Sequence, residues 1–169
     1  MSRKYKFNDK AGAYFISFAT VYWIDVFTRE EYFGNIIESL DYCRKNKGME
    51  IYGYCIMPSH IHLIFRSENS NPSGLIRDFK GFTSKKMLKS IEENPQESRK
   101  EWMLWMFEQA GKKNSNVKFR QFWQQNNKPS SPKSSFRSAT QMSLTLRNFF
   151  YLLRNYKPLK SLLTFNDSL

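Results

Sequence analysis

The chain has two histidines in 169 residues, and they stand one residue apart as His60-Ile61-His62. The apolar run after Pro58, Ile61-His-Leu-Ile-Phe65, has the alternation of a β-strand, in which side chains point to opposite faces in turn. His60, His62 and Ile64 then share one face, and Ile61, Leu63 and Phe65 share the other, where they can enter a core. Two imidazoles side by side on one strand can hold a single divalent metal from a rigid platform. Carboxylate or amide oxygens completing the shell beside a phosphate favour Mg²⁺ or Mn²⁺, whereas a third nitrogen or a sulfur would favour zinc. The chain has no third histidine, and Cys55 sits on the neighbouring strand. The ordinary alternative is a pair of histidines satisfied by their neighbours.

A metal beside a phosphodiester draws charge from a non-bridging oxygen and orients the phosphorus, but a nucleophile is still needed. Tyr151, in Asn148-Phe-Phe-Tyr-Leu-Leu-Arg-Asn-Tyr156, is a candidate. A phenolate attacking DNA gives a phosphotyrosine and keeps the energy of the broken bond, so rejoining needs no ATP. Asn155 follows at i+4 on the same helical face and could supply an amide oxygen as a third metal ligand. Packing is the competing role for Tyr151, which follows Phe149 and Phe150 in an apolar helix.

The rest of the chain supplies elements to position these groups. Residues 13–23 read as a strand, rich in β-branched and aromatic types. Thr28 and Glu31 form a capping box for a helix carrying Tyr32, Ile36, Leu40 and Cys43, ending near Gly48. A strand from Glu50 to Ile56 pairs with the histidine strand through Met57-Pro58-Ser59. Asn71-Pro72-Ser73 opens a helix that runs to Glu93, and Ser98 caps another containing Trp102, Trp105 and Phe107. Residues 117–123 read as a strand, residues 124–140 as a polar stretch, and residues 142–156 as a last helix. The order strand, helix, strand, strand, helix, strand predicts an α+β fold. Its core is a ferredoxin-like split βαβ antiparallel sheet with helices on one face, followed by a C-terminal helical segment.

Composition fits this reading. Hydrophobic residues make up 40% of the chain and aromatics 17%, as in a globular protein. The net charge of +12 is uneven: from Ala110 onward the only acid is Asp167, against a series of bases from Lys112 to Lys160. Such a field suits a polyanion, and nucleic acid is the commonest in a cell. An acidic membrane fits less well, because no segment pairs a long apolar stripe with a lysine-rich face. No span or signal peptide is visible, and Cys43 and Cys55 read as buried thiols in a reducing cytoplasm.

Pro58-Ser-His-Ile-His-Leu-Ile-Phe65 resembles the HUH motif (His, hydrophobic, His) of IS200/IS605-type single-tyrosine transposases, and among them the REP-associated tyrosine transposases. The likeness extends through Gly53-Tyr-Cys-Ile-Met57, Leu75-Ile-Arg-Asp-Phe-Lys-Gly-Phe-Thr-Ser-Lys-Lys86 and Phe122-Trp-Gln-Gln125. It implies an HUH nuclease domain over residues 1–129 with an atypical segment over 130–169. It also implies a homodimer acting in the bacterial cytoplasm, nucleoid-associated when bound, on hairpin-bearing single-stranded DNA with Mg²⁺ or Mn²⁺. By the same resemblance His60 and His62 are metal ligands, a tyrosine on a C-terminal helix forms a 5′-phosphotyrosine, and the helix around Asp78–Thr83 lies near DNA. Arg77, Lys80, Thr83, Lys85 and Lys86 are its candidate DNA contacts. Trp102, Trp105 and Trp123 could stack on unpaired bases, although buried packing competes for them.

The C-terminal quarter departs from the pattern, for the family's Tyr-Ile-His-Asn-Asn-Pro string is absent. Tyr151-Leu-Leu-Arg-Asn155 keeps the tyrosine and an asparagine four residues on, and Tyr156 is a poorer candidate. Arg154-Asn-Tyr-Lys-Pro-Leu159 also resembles the segment that follows the catalytic helix, an alignment that removes the nucleophile. The chain would then be a catalytically degenerate, DNA-binding descendant. An RNA-binding module of the same strand order is a third reading, but it would want aromatics where His60 and His62 stand.

Overall fold

The computed structural model describes residues 7–117 and 119–125. Strand β1 (Tyr14–Ala19) leads through a short 3₁₀ turn (Val21–Trp23) to helix α1 (Glu30–Asn46). Strands β2 (Met49–Ile56) and β3 (His60–Ser67) follow, then helices α2 (Pro72–Glu93) and α3 (Lys100–Lys112). The sheet is antiparallel with the order β1-β3-β2, so the histidine strand is central. This is the α+β sheet-and-helix architecture expected from the sequence, in open three-stranded form.

Strict alternation in β3 decides which side is covered. Ile61, Leu63 and Phe65 are fully buried, whereas His60, His62, Ile64 and Arg66 are each half-covered. The buried side meets Tyr32, Ile36 and Leu40 of α1 and Phe79 and Met87 of α2 in one core. Phe18 of β1 packs edge-on against Phe79, with ring centroids 5.7 Å apart. The period-2 and period-3.6 patterns thus converge on one hydrophobic layer.

Local chemistry explains the start of α2 and the end of α1. Pro72 occupies the first turn of α2, where its missing N–H costs nothing, and Asn71 Oδ1 accepts from Gly74 N at 3.0 Å. Gly48 ends α1 with φ of 65°, a left-handed conformation that glycine adopts without strain. The expected capping box at Thr28 does not form: α1 begins after Arg29 with no side-chain cap, and Thr28 Oγ1 accepts from Arg99 instead.

Two expected strands come out differently, the first shorter and the last absent among the described residues. The first stops at Ala19, because the buried Thr20 hydroxyl is held by Ile24 O (2.8 Å) and Ser59 O (3.0 Å) and turns the chain. Among the described residues of 117–123 no strand forms; a single bridge joins Trp123 to Thr20. The backbone there bonds elsewhere, Val117 N to Asn114 O and Gln121 N to Phe107 O. A Cβ on Gly111 would overlap Phe119 O, so the segment lies directly on the end of α3. The boundary expected at residues 129/130 and the helix expected over 142–156 lie outside the described residues. Among those described, no helix is long and apolar enough to cross a membrane.

A buried carboxylate ties the helices together. Glu97 has a fully covered side chain and pairs with Arg29 at 2.8 Å and Arg99 at 3.1 Å. Arg99 also reaches Asp25 O at 2.9 Å, joining the start of α3 to the loop after β1. Burial alone would raise the Glu97 carboxyl, but hydrogen bonds from Arg99 and Arg29 outweigh it and bring the value down to about 2. The group therefore stabilises the fold fully above the ordinary carboxylate range and loses that contribution as pH falls from about 4.5 toward 2. Glu97→Gln is expected to cost about 2–4 kcal/mol at pH 7 and to flatten the acid limb of a thermal-unfolding series over that window. An unchanged acid limb in the variant would remove Glu97 from this role.

Candidate metal centre

The Met57-Pro58-Ser59 link sets the entry to β3. Met57 N bonds His60 O at 2.8 Å, Phe27 N bonds Pro58 O, and Thr20 N bonds Ser59 O, so the turn is clamped to the loop after β1. His60 and His62 leave this anchored corner on the face away from the core. Their ring centroids are 4.8 Å apart with planes at 85°.

Cross-strand register furnishes the partners. Ser17 of β1 lies opposite His62, and its Oγ is 2.6 Å from His62 Nδ1. Phe15, two residues earlier, stacks on the same imidazole at 5.6 Å and 17°. Ser59 Oγ lies 3.3 Å from His60 Nδ1, and Trp23 meets the His60 ring edge-on at 5.3 Å. With Nδ1–H donating to serine, each Nε2 keeps its lone pair, and neither Nε2 has a hydrogen-bond partner among the described residues. Metal-ligating histidines characteristically have this outer-shell arrangement.

Both rings are held neutral. Burial lowers the His60 pKa, against the opposing charge of Asp25. Burial, with a smaller contribution from His60, lowers His62 to about 4. Neutral, oriented nitrogens fit a divalent cation. The described residues do not complete its shell: they contain no group of three His, Cys, Asp or Glu side chains able to hold a metal. Cys55 pairs with His62 in register, but its buried Sγ bonds Met57 Sδ at 3.7 Å, so it is not poised as a zinc ligand. Tyr151 and Asn155 lie outside the described residues.

Removing the Ser17 hydroxyl should loosen His62 without touching the ligand itself. Ser17→Ala is expected to weaken Mn²⁺ binding by about 10- to 100-fold. Titration calorimetry with an unchanged affinity would exclude this orienting role.

The α2 candidates divide. Arg77, Lys80 and Lys85 line one groove of 1220 Å³, together with Lys112, Arg120 and residues of the 114–125 segment. Arg77 and Lys85 are exposed, Arg77 pairing with Asp78 at 3.1 Å. Lys80 is largely covered, donates to Gln124 O at 2.7 Å, and is lowered by burial to about 8. Lys86 points instead toward α1 and pairs with Glu38 at 2.7 Å. Thr83 needs correction. It is 1% exposed, donates to Phe79 O and accepts from Trp123 Nε1 at 3.0 Å, so no DNA phosphate can reach it. Trp123 is buried, whereas Trp102 and Trp105 are exposed.

Sequence reasoning missed Ser17, Asp25 and Trp23. Ser17 was accessible in principle, since a small polar residue between Ile16 and Phe18 marks the open face of β1. Asp25 and Trp23 were hidden by reading the first strand through residue 23.

A protein-family model described as "Transposase IS200 like" matches residues 11–114. No curated protein matches the chain. Among solved structures, a protein from Deinococcus radiodurans described as a "putative transposase" is 16% identical with a TM-score of 0.51, covering 88% of this chain and 95% of that one. A REP-associated tyrosine transposase bound to a REP hairpin is 13% identical with a TM-score of 0.49, covering 78% of this chain. The present chain spans 62% of the length of that protein.

Proposed function

We propose that this chain, which belongs to the IS200-like transposase family, cuts and rejoins hairpin-bearing single-stranded DNA through a 5′-phosphotyrosine, with Mg²⁺ or Mn²⁺ held by His60 and His62. The observation that carries the reading is the pair of imidazoles with ring centroids 4.8 Å apart, each with its Nδ1 beside a serine hydroxyl and its pKa lowered by burial. When bound, the divalent ion would withdraw charge from a non-bridging phosphate oxygen. Asn155 is the third ligand in this proposal. The Tyr151 phenolate attacks phosphorus, the bond to the 3′ oxygen breaks, and the leaving strand keeps a free 3′-hydroxyl. Rejoining reverses these steps with another 3′-hydroxyl as nucleophile, so no external energy source enters. The exposed Arg77 and Lys85, with Lys112 nearby, supply salt-sensitive affinity for the DNA backbone. A homodimer belongs to the same reading.

The test is direct. The full chain is incubated with an end-labelled DNA hairpin carrying single-stranded flanks and Mn²⁺, then denatured. A protein-linked labelled band that disappears with chelator supports the reading. Hairpin binding without any covalent band would instead identify a DNA-binding descendant that has lost the reaction.

A further inference from the structure

The loop joining β1 to α1 contains an arrangement that core packing does not explain. Tyr22 and Trp23 both adopt left-handed backbone conformations, with φ of 55° and 56°. Two successive non-glycine residues in this region carry strain that surrounding structure must hold in place. The holding contacts are evident. Val21 and Ile24 on either side are buried, Val21 N bonds Phe122 O at 2.9 Å, Trp23 N bonds Thr20 O at 3.2 Å, and the Thr20 hydroxyl grips Ile24 O. Yet the two large rings between these anchors point outward, Tyr22 44% and Trp23 58% exposed. The strained backbone thus holds both rings in partly exposed positions.

The display is beside the histidine pair. Trp23 touches the His60 ring at 5.3 Å between centroids, and Lys113 Nζ lies 5.6 Å from the Tyr22 ring centroid. An exposed indole, a rigid backbone, a neighbouring lysine and a net charge of +12 match one ligand, a single-stranded nucleotide with its base unstacked. We propose that Trp23 is the stacking platform for the unpaired base adjoining the phosphate held at His60 and His62, with Tyr22 and Lys113 steering the next phosphate along the strand. This inference rests on the function proposed above and adds the residue that sets which nucleotide is presented for cutting.

The experiment measures equilibrium binding and adduct formation of the full chain on a series of hairpin oligonucleotides, each with one abasic site in the single-stranded flank. The unmodified protein is expected to lose roughly 5- to 100-fold in affinity at one flank position. Trp23→Ala should lose a similar factor on intact DNA and show no further loss at that position, while Trp23→Phe, which keeps an aromatic face, retains most of the effect. Trp23→Gly relieves the backbone strain and is expected to leave the melting temperature unchanged or raised while weakening DNA binding, which a structural role for the indole would not allow. An abasic penalty that persists in Trp23→Ala, or normal affinity in Trp23→Ala, overturns the platform while adduct formation still stands. If the unmodified protein binds no single-stranded DNA, both the platform and the proposed function fall.

Discussion

Replacing His60 or His62 with alanine is expected to slow covalent adduct formation by on the order of 10²- to 10³-fold or more while leaving the protein folded. The separation follows from the strand's geometry. Ile61, Leu63 and Phe65 fill the core from the other side of β3, so deleting an imidazole on the open face leaves that layer complete. What each variant loses is one Nε2 donor and, at His62, the Ser17 hydrogen bond and the Phe15 stacking contact. Salt-sensitive hairpin binding should survive in both, because the exposed bases of α2 lie on a different element. Rates near the unmodified protein's in both variants would remove the imidazoles from the reaction. Loss of the folded state would show that the pair is structural.

Tyr151→Phe should abolish the covalent band, a fall of roughly 10⁴-fold or more, because in the proposed reaction the Tyr151 phenolate is the bond-forming oxygen. The substitution removes one hydroxyl and keeps the ring, so hairpin affinity and melting temperature should not move. Tyr156→Phe is the matched control, from the same helix expected over residues 142–156. A band that persists in Tyr151→Phe and vanishes in Tyr156→Phe would reassign the nucleophile. A band that survives both substitutions would place it elsewhere in the chain.

Periodicity made the centre of this protein legible. The alternation around His60 and His62 gave the exposed and buried faces of β3, and Asn71-Pro72 marked the start of α2 through capping chemistry that is local by nature. What stayed hidden depended on contacts far apart in sequence. Val21-Tyr22-Trp23 has strong strand composition, and the bonds of Thr20 to Ile24 O and to Ser59 O, 39 residues on, turn the chain out of the sheet. Residues 117–123 alternate like a strand, but packing against Gly111 and the carbonyl of Phe107 diverts their hydrogen bonds. Thr83 was legible and misread: Phe79, Thr83 and Met87 recur every four residues, which puts the threonine on the buried row of α2. Alternation places Ser17 on the open face of β1, but its pairing with His62 needs the register of β1 against β3.

The proposed reaction requires His60 and His62 to hold one cation against a DNA phosphate. Anomalous diffraction from crystals of the protein with a hairpin oligonucleotide and Mn²⁺ tests it most directly. A single peak about 2.1–2.3 Å from both Nε2 atoms and in contact with a phosphate oxygen is the expected result. Bound DNA with no peak at the imidazoles, or manganese bound elsewhere while both rings keep only their serine partners, would contradict it.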